Sequence, residues 1–103
     1  MKDLASKLAV QSYCYRAFKD NRKVAELIRA SGLTAVELCG VHADFANEAS
    51  FDEIIRIYRD AGVDIIAIGV QWFSDNPSAE EKYFRFCRKA GARVMGVSFD
   101  INK

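Results

Sequence analysis

The stretch Arg59-Asp-Ala-Gly62-Val-Asp-Ile-Ile-Ala-Ile-Gly69 decides the fold, because a glycine ends a helix-like segment and an apolar strand follows at once. The same order recurs in Arg29-Ala-Ser-Gly32-Leu-Thr-Ala-Val-Glu-Leu-Cys-Gly40 and in Arg88-Lys-Ala-Gly91-Ala-Arg-Val-Met-Gly96. The helix-ending glycines are about 30 residues apart, a period typical of repeated supersecondary units. The repeat therefore predicts βα units with parallel strands.

Composition indicates one small domain over residues 1–103, since half of its 103 residues are hydrophobic. The formal charge is +1 and no basic block is present, so neither nucleic acid nor an anionic membrane is expected as a partner. No apolar run approaches the roughly 20 residues of a membrane span, and the start lacks the apolar run of a signal peptide. Three widely separated cysteines predict reduced thiols. The expected location is cytoplasmic.

Strands are predicted over residues 8–13, 35–39, 64–70 and 93–99, with helices between them. The first helix spans 21–31 and begins at capping oxygens of Asp20 and Asn21. Capping boxes are predicted for the other two helices, one from Ser50 with Glu53 and one from Ser78 with Glu81. The third helix is expected to turn four side chains inward, namely Tyr83, Phe84, Phe86 and Cys87.

Strict alternation of four strands and three helices predicts an α/β fold, a parallel βα repeat that forms half of a TIM (βα)8 barrel. A complete barrel has about 250 residues, so this length supplies about half of one. The competing architecture is a flavodoxin-like or Rossmann sheet, which usually carries a glycine-rich phosphate-binding turn after its first strand. Here that turn reads Ser12-Tyr-Cys-Tyr-Arg16, without glycine, and this disfavours nucleotide binding.

Three segments, in this order and at these distances, resemble the sugar phosphate isomerase/epimerase family of xylose-isomerase-like TIM barrels: Leu8-Ala-Val-Gln-Ser-Tyr-Cys-Tyr-Arg16, Ala35-Val-Glu-Leu-Cys-Gly-Val-His42 and Ile66-Ala-Ile-Gly-Val70. The resemblance spans about residues 8–100. It implies that a divalent metal (Mn, Mg or Zn) and a carboxylate base move a proton next to a sugar carbonyl. It also implies that the metal ligands, typically two Glu, an Asp and a His, come from strands of the second half. The chain alone is therefore expected to hold no metal, to form a wall of the substrate pocket and to be inactive by itself.

Strand alternation selects the candidate site residues, because residues two apart share a face. Val36 and Leu38 suit the helix-facing side, which turns Glu37 toward the barrel interior. Two roles stay open for Glu37, an interior hydrogen-bonding group or a pocket carboxylate, and His42 beyond the same strand is either a general acid/base or a solvated loop residue. The candidate catalytic residues are thus Glu37 and His42. The candidate substrate-binding residues are Gln11, Tyr13, Arg16, Gln71, Trp72, Ser98 and Asp100.

An open four-stranded sheet leaves two edges with unpaired backbone groups, and this predicts self-association. Two copies related by a two-fold axis could close an eight-stranded barrel. The expected partners are therefore a small sugar or sugar phosphate and a second copy of the chain. The alternative function is a non-catalytic half-barrel for assembly or binding, and a flavodoxin-like domain is less favoured.

Overall fold

The computed structural model describes residues 8–99, which form one parallel sheet with helices between consecutive strands. The strands are β1 (Val10–Gln11), β2 (Ala35–Leu38), β3 (Asp64–Phe73) and β4 (Val94–Phe99), hydrogen-bonded in the order β1-β2-β3-β4. The helices are α1 (Asn21–Ala30), α2 (Phe51–Asp60) and α3 (Pro77–Ala90). Short 3-10 helices cover Ser12–Tyr15 and Glu48–Ser50. The predicted α/β class with four parallel strands and three helices is confirmed.

The repeated glycines end the helices for a conformational reason. Gly32, Gly62 and Gly91 have φ of 85°, 80° and 76°, in the left-handed region where a side chain is strained. Each is followed within a few residues by the next strand. The glycine spacing thus sets the length of each βα unit.

The predicted helix starts are right for α1 and wrong in detail for α2 and α3. Asp20 caps α1, because its Oδ1 accepts the backbone N–H of Arg22 at 3.0 Å. Asn21, the other predicted cap, is the first helical residue, and its side chain bonds the Tyr58 hydroxyl and the His42 carbonyl instead. Ser50 makes no such bond, because it ends a 3-10 turn with φ −87° and ψ −10° and its hydroxyl donates to the Asn47 carbonyl at 2.7 Å. Ser78 lies inside α3, which begins at Pro77, and its hydroxyl donates to Asn76 Oδ1 at 3.1 Å. Neither capping box forms.

All three helices pack on one face of the sheet. Their apolar side chains join those of the strands in one hydrophobic cluster, in which Val36, Leu38 and Ile68 are completely buried beneath the helices. In a (βα)8 barrel the strands follow one another in chain order and all helices lie on one side of the sheet, whereas a doubly wound sheet has helices on both faces. The chain therefore has the architecture of half a (βα)8 barrel.

The third helix departs from the predicted inward face at one position. Phe86 is completely buried, and Tyr83 and Cys87 pack against the core, but Phe84 is 57% exposed. The ring of Phe84 packs edge-on against the ring of Phe73 in β3, with the two centroids 6.0 Å apart. It lies near the outer strand β4, where no further helix covers the sheet within the described residues. None of the helices of residues 8–99 has the length and apolar character that crossing a membrane requires.

Candidate functional site

Glu37 lies on the face of the sheet opposite the helices. We call this face the open face. Its neighbours Val36 and Leu38 are fully buried under the helices, so alternation turns the Glu37 side chain the other way. There it is half-buried, and among the described residues its carboxylate has neither an ion pair nor a hydrogen bond. This position matches the one predicted from the sequence.

Two glycines on the neighbouring strands make room for this carboxylate. A Cβ on Gly69 of β3 would lie 2.7 Å from Glu37 Oε2, and one on Gly96 of β4 would lie 3.6 Å from the same oxygen. The backbones of the two glycines also approach closely, since that Gly69 Cβ would be 3.1 Å from Gly96 Cα. The Glu37 side chain thus extends across β3 toward β4, over a floor without side chains.

Gln11 lies beside Glu37. The two residues are register partners in the parallel pair of β1 and β2, and Glu37 is in turn the partner of Ala67. They line a groove of about 430 Å³ on the open face, together with Ala9, Val10, Ile66, Ala67 and Val94. The groove therefore combines an amide and a carboxylate with an apolar wall, a lining typical of small-molecule sites.

Trp72 and Ser98 meet at the carboxyl ends of β3 and β4. They are register partners, and Trp72 is 69% exposed while Ser98 is half-buried. Because ligands of parallel α/β folds bind outside the carboxyl ends of the strands, this pair lies at the expected edge. The exposed indole offers a flat apolar surface with one N–H donor.

Tyr13 and Arg16 stand at the same edge, in and just after the 3-10 turn that follows β1. The Arg16 guanidinium carbon lies 4.7 Å from the centroid of the Tyr13 ring, and Nη1 donates to the Tyr13 carbonyl at 3.2 Å. Both side chains are exposed. The ring and the carbonyl hold the cation in place beside the carboxyl end of β1.

The turn itself is fixed by Ser12, which is completely buried. Its hydroxyl accepts the backbone N–H of Cys39 at 2.9 Å and donates to Cys39 Sγ at 3.1 Å. This contact with the end of β2 accounts for the shortness of β1, which stops at Gln11 although strand was predicted to Tyr13. At this point the Ser12 side chain, and not the backbone of β1, forms the hydrogen bond to the backbone that follows β2.

His42 is placed differently from the other candidates, since it is 4% exposed and serves a buried network. Its Nε2–H donates to the Phe18 carbonyl at 2.8 Å, and its own carbonyl accepts from Asn21 Nδ2 at 2.9 Å. Asn21 Oδ1 accepts the hydroxyl of Tyr58 at 2.6 Å, and burial raises the pKa of that phenol. Nδ1 of His42 is buried without a partner. The network ties the loop after β2 to the loop after β1 and to helices α1 and α2.

Gln71 is also separated from the open face. The structure extends β3 to Phe73, three residues beyond the predicted end, so Gln71 lies within the strand and not in a rim loop. It shares a face with Phe73, whose ring stacks on Tyr83 of α3 at 5.9 Å, and it is 6% exposed with Nε2 unpartnered. The structure thus brings Gln11 and Glu37 together and places Trp72 with Ser98 and Tyr13 with Arg16 along one edge. His42 and Gln71 are both buried, His42 in the loop network and Gln71 on the other face of β3. Asp100 lies outside the described residues.

The described residues do not by themselves fit the divalent metal that the resemblance implies. Within 8–99, no three side chains of His, Cys, Asp or Glu come together in a way that could hold a cation. Glu37 is a single carboxylate, whereas Mg²⁺, Mn²⁺ and Zn²⁺ take several ligating groups.

Sequence reasoning missed Gly69 and Gly96 as parts of the site. A signal for them was present, because a glycine inside a strand often marks a close approach of another group. Each follows an apolar residue within a predicted strand, in Ile68-Gly69 and in Met95-Gly96. The side chain that approaches them is set by the register between neighbouring strands, and the sequence alone does not reveal that register.

Comparison with known proteins shows a similar fold in a solved structure. No family model matches the sequence, and no curated protein matches it. The fold is similar to the crystal structure, at 2.32 Å resolution, of an uncharacterised protein from Parabacteroides distasonis ATCC 8503, with a TM-score of 0.76 and 16% sequence identity. The match covers 95% of this chain and 45% of that one, so the chain spans less than half the length of that protein. At this identity the likeness shows the fold alone.

Proposed function

We propose that this chain is the N-terminal half of a sugar or sugar phosphate isomerase/epimerase-like barrel, in which it forms the substrate-pocket wall. The observation that carries the proposal is the Glu37 carboxylate, half-buried over Gly69 and Gly96 without a cation or donor among the described residues. A half-buried carboxylate without a protein partner among the described residues is an acceptor available to the hydrogen-bond donors of a ligand. The hydroxyl groups of a sugar are donors of the right kind.

The surroundings of Glu37 suit the two sides of a sugar ring. Gln11 offers an amide that both donates and accepts, beside an acceptor-only carboxylate. Ile66 and Val94, which line the groove with Glu37, offer apolar surface to the C–H side of a ring. The exposed indole of Trp72 offers a flat apolar surface at the carboxyl ends of the strands. Arg16 at the same edge supports binding of a phosphate ester, since guanidinium pairs well with phosphate oxygens.

In this proposal the chain binds and orients the sugar, and isomerisation requires a second half. Glu37 accepts a hydrogen bond from a substrate hydroxyl and so fixes the ring relative to the groove. The divalent metal that the resemblance implies would need its ligands from that other half. The proposal includes a cytoplasmic location, which the free state of Cys14, Cys39 and Cys87 supports.

The test is a titration of the chain with aldoses, ketoses and their phosphate esters, followed by backbone and side-chain NMR shifts. We expect shifts at Gln11, Glu37 and the Trp72 indole N–H. Replacing Glu37 by Gln removes the charged acceptor and keeps the side-chain size. A hydrogen bond to a charged group contributes about 1.5 to 3 kcal/mol, so Kd should rise by about tenfold or more.

The matched control is Glu53→Gln on the exposed side of α2, which also removes one negative charge but lies in the helical layer. Its affinity for the same sugar should equal that of the parent chain. Equal weakening by both variants would mean that only net charge matters. Sugars that shift none of the groove resonances would refute the proposal.

A further inference from the structure

Strand β1 is too short to fix its own register at the edge of the sheet. It comprises only Val10–Gln11, and among the described strands it pairs with β2 alone. Most strands have about five or six residues, and register is weakly specified where few side chains distinguish the two faces. The placement of Gln11 beside Glu37 therefore depends on contacts outside the strand pairing.

Ser12 is the residue next to β1 that distinguishes the two faces. It is completely buried, whereas Val10 is half-buried against the hydrophobic cluster and Gln11, between them, lines the groove on the open face. A slip of β1 by one residue would carry Gln11 to the helix-facing side and Ser12 to the open face. A bond that holds Ser12 in its buried place thus also holds Gln11 in the groove.

Two hydrogen bonds join Ser12 to Cys39, the residue just after β2. The Ser12 hydroxyl accepts the Cys39 backbone N–H at 2.9 Å and donates to Sγ at 3.1 Å. Both residues are buried, so loss of the hydroxyl would leave a buried N–H without its acceptor. Gln11 precedes Ser12 by one residue and Glu37 precedes Cys39 by two, so the bonds lie directly beside the pair of candidate site residues.

We propose that Ser12 is a positioning residue of the candidate site, whose bonds to Cys39 fix the register of β1 and thereby hold the Gln11 amide beside the Glu37 carboxylate. An amide and a carboxylate at a fixed separation can bond two neighbouring hydroxyl groups of one ligand, whereas a freely placed amide must first be ordered. The consequence for affinity rests on the proposed function. The placement of Gln11 is a property of the chain without ligand and is tested separately.

The first test is NMR spectroscopy of the chain without ligand. In the parent chain the Cys39 amide should exchange with solvent as slowly as the amides of β2, because Ser12 holds it. In Ser12→Ala this exchange should be faster by about tenfold or more. The nuclear Overhauser contacts between the Gln11 side-chain amide and the Glu37 methylene protons should be lost in the same variant. Circular dichroism establishes that the variant is folded.

The matched control is Ser31→Ala, the same chemical change at the end of α1. The Ser31 hydroxyl donates only to the Leu27 carbonyl at 3.1 Å, on an exposed part of the surface. Its removal should leave the contacts between Gln11 and Glu37 as they are in the parent chain.

The second test is the affinity for a free aldose or ketose that binds the parent chain. Ser12→Ala should raise Kd by about fivefold to tenfold, since it weakens the hydrogen bonding of Gln11 to the ligand. Because Ser12 acts through Gln11, Ser12→Ala should add nothing in a Gln11→Ala background. A general loss of structure would instead weaken binding in both backgrounds.

A Cys39 amide that exchanges in the parent chain as fast as exposed loop amides would overturn the proposal, even if Ser12→Ala does not fold. Unchanged contacts between Gln11 and Glu37 in folded Ser12→Ala would overturn it too, as would a further loss of affinity in the Gln11→Ala background. A parent chain that binds no sugar would refute the proposed function, and the exchange rates and contacts would still decide the role of Ser12.

Discussion

At the scale of single residues, the candidate site depends on two glycines that have no side chain. The Glu37 carboxylate reaches across the open face because Gly69 and Gly96 carry no side chain. The two glycines differ in how much room they leave. Around Gly69 the nearest groups include the backbone of Gly96, which cannot move without disturbing the pairing of β3 with β4, whereas the contacts of Gly96 are looser.

Gly69→Ala should therefore lower the free energy of unfolding by about 1 to 3 kcal/mol, the usual cost of overpacking. The new Cβ would lie 2.7 Å from Glu37 Oε2 and 3.1 Å from Gly96 Cα and N. The measurement is urea unfolding followed by circular dichroism, with all variants at one chain concentration.

Gly96→Ala is the control for this change. Its Cβ would meet its nearest neighbours at 3.6 and 3.7 Å, which is ordinary contact, so the free energy of unfolding should change by less than about 1 kcal/mol. If both variants lose the same stability, the close approach at Gly69 is not what restricts the side chain there.

At the scale of elements, helix starts that look alike in sequence differ in structure. Asp20 precedes α1 in an extended conformation, φ −79° and ψ 116°, from which its carboxylate reaches the N–H of Arg22. Ser50 precedes α2 in a helical conformation, because the 3-10 turn Glu48–Ser50 leads directly into that helix. The conformation of the chain just before a helix thus determines whether a side chain there can accept a hydrogen bond from the first backbone N–H groups of the helix.

Asp20→Ala should lower the free energy of unfolding by about 0.5 to 2 kcal/mol, because it removes the N-cap hydrogen bond of α1. Ser50→Ala is the companion variant, and it should cost less because the Ser50 hydroxyl bonds only the Asn47 carbonyl. Thermal unfolding of the two variants compares them directly. A larger loss for Ser50→Ala would show that the 3-10 turn, and not the cap, holds its helix.

At the scale of the whole molecule, the helical layer is joined by a cluster of aromatic rings. Phe86 of α3 packs edge-on against Phe51 of α2 and Phe45 of the preceding loop, with ring centroids at 5.0 and 5.1 Å. On the surface above, Arg85 of α3 pairs with Glu48, and Lys89 pairs with Asp52 at 3.0 Å. Exposed pairs contribute little, so the buried rings carry most of this contact.

Phe86→Ala should lower the free energy of unfolding by about 3 to 5 kcal/mol, because it opens a cavity among completely buried groups. That is a large part of the 5 to 15 kcal/mol typical of a whole domain. Phe84→Ala, two residues away on the same helix and 57% exposed, should cost less than about 1 kcal/mol. Denaturant midpoints that coincide for the two variants would contradict the packing described here.

The amino-acid sequence by itself determined the alternation of strands and helices, since the glycines at 32, 62 and 91 and the apolar runs after them act through local backbone conformation. It also determined that Glu37 faces away from the helices, because alternation along one strand is local. Only the tertiary structure decided that Gln71 turns toward the helices, that His42 is buried among loops and that Glu37 lies over Gly69 and Gly96. Those placements depend on register shifts of β3 against β2 and β4 and on contacts between loops far apart in the chain, which local preferences do not specify.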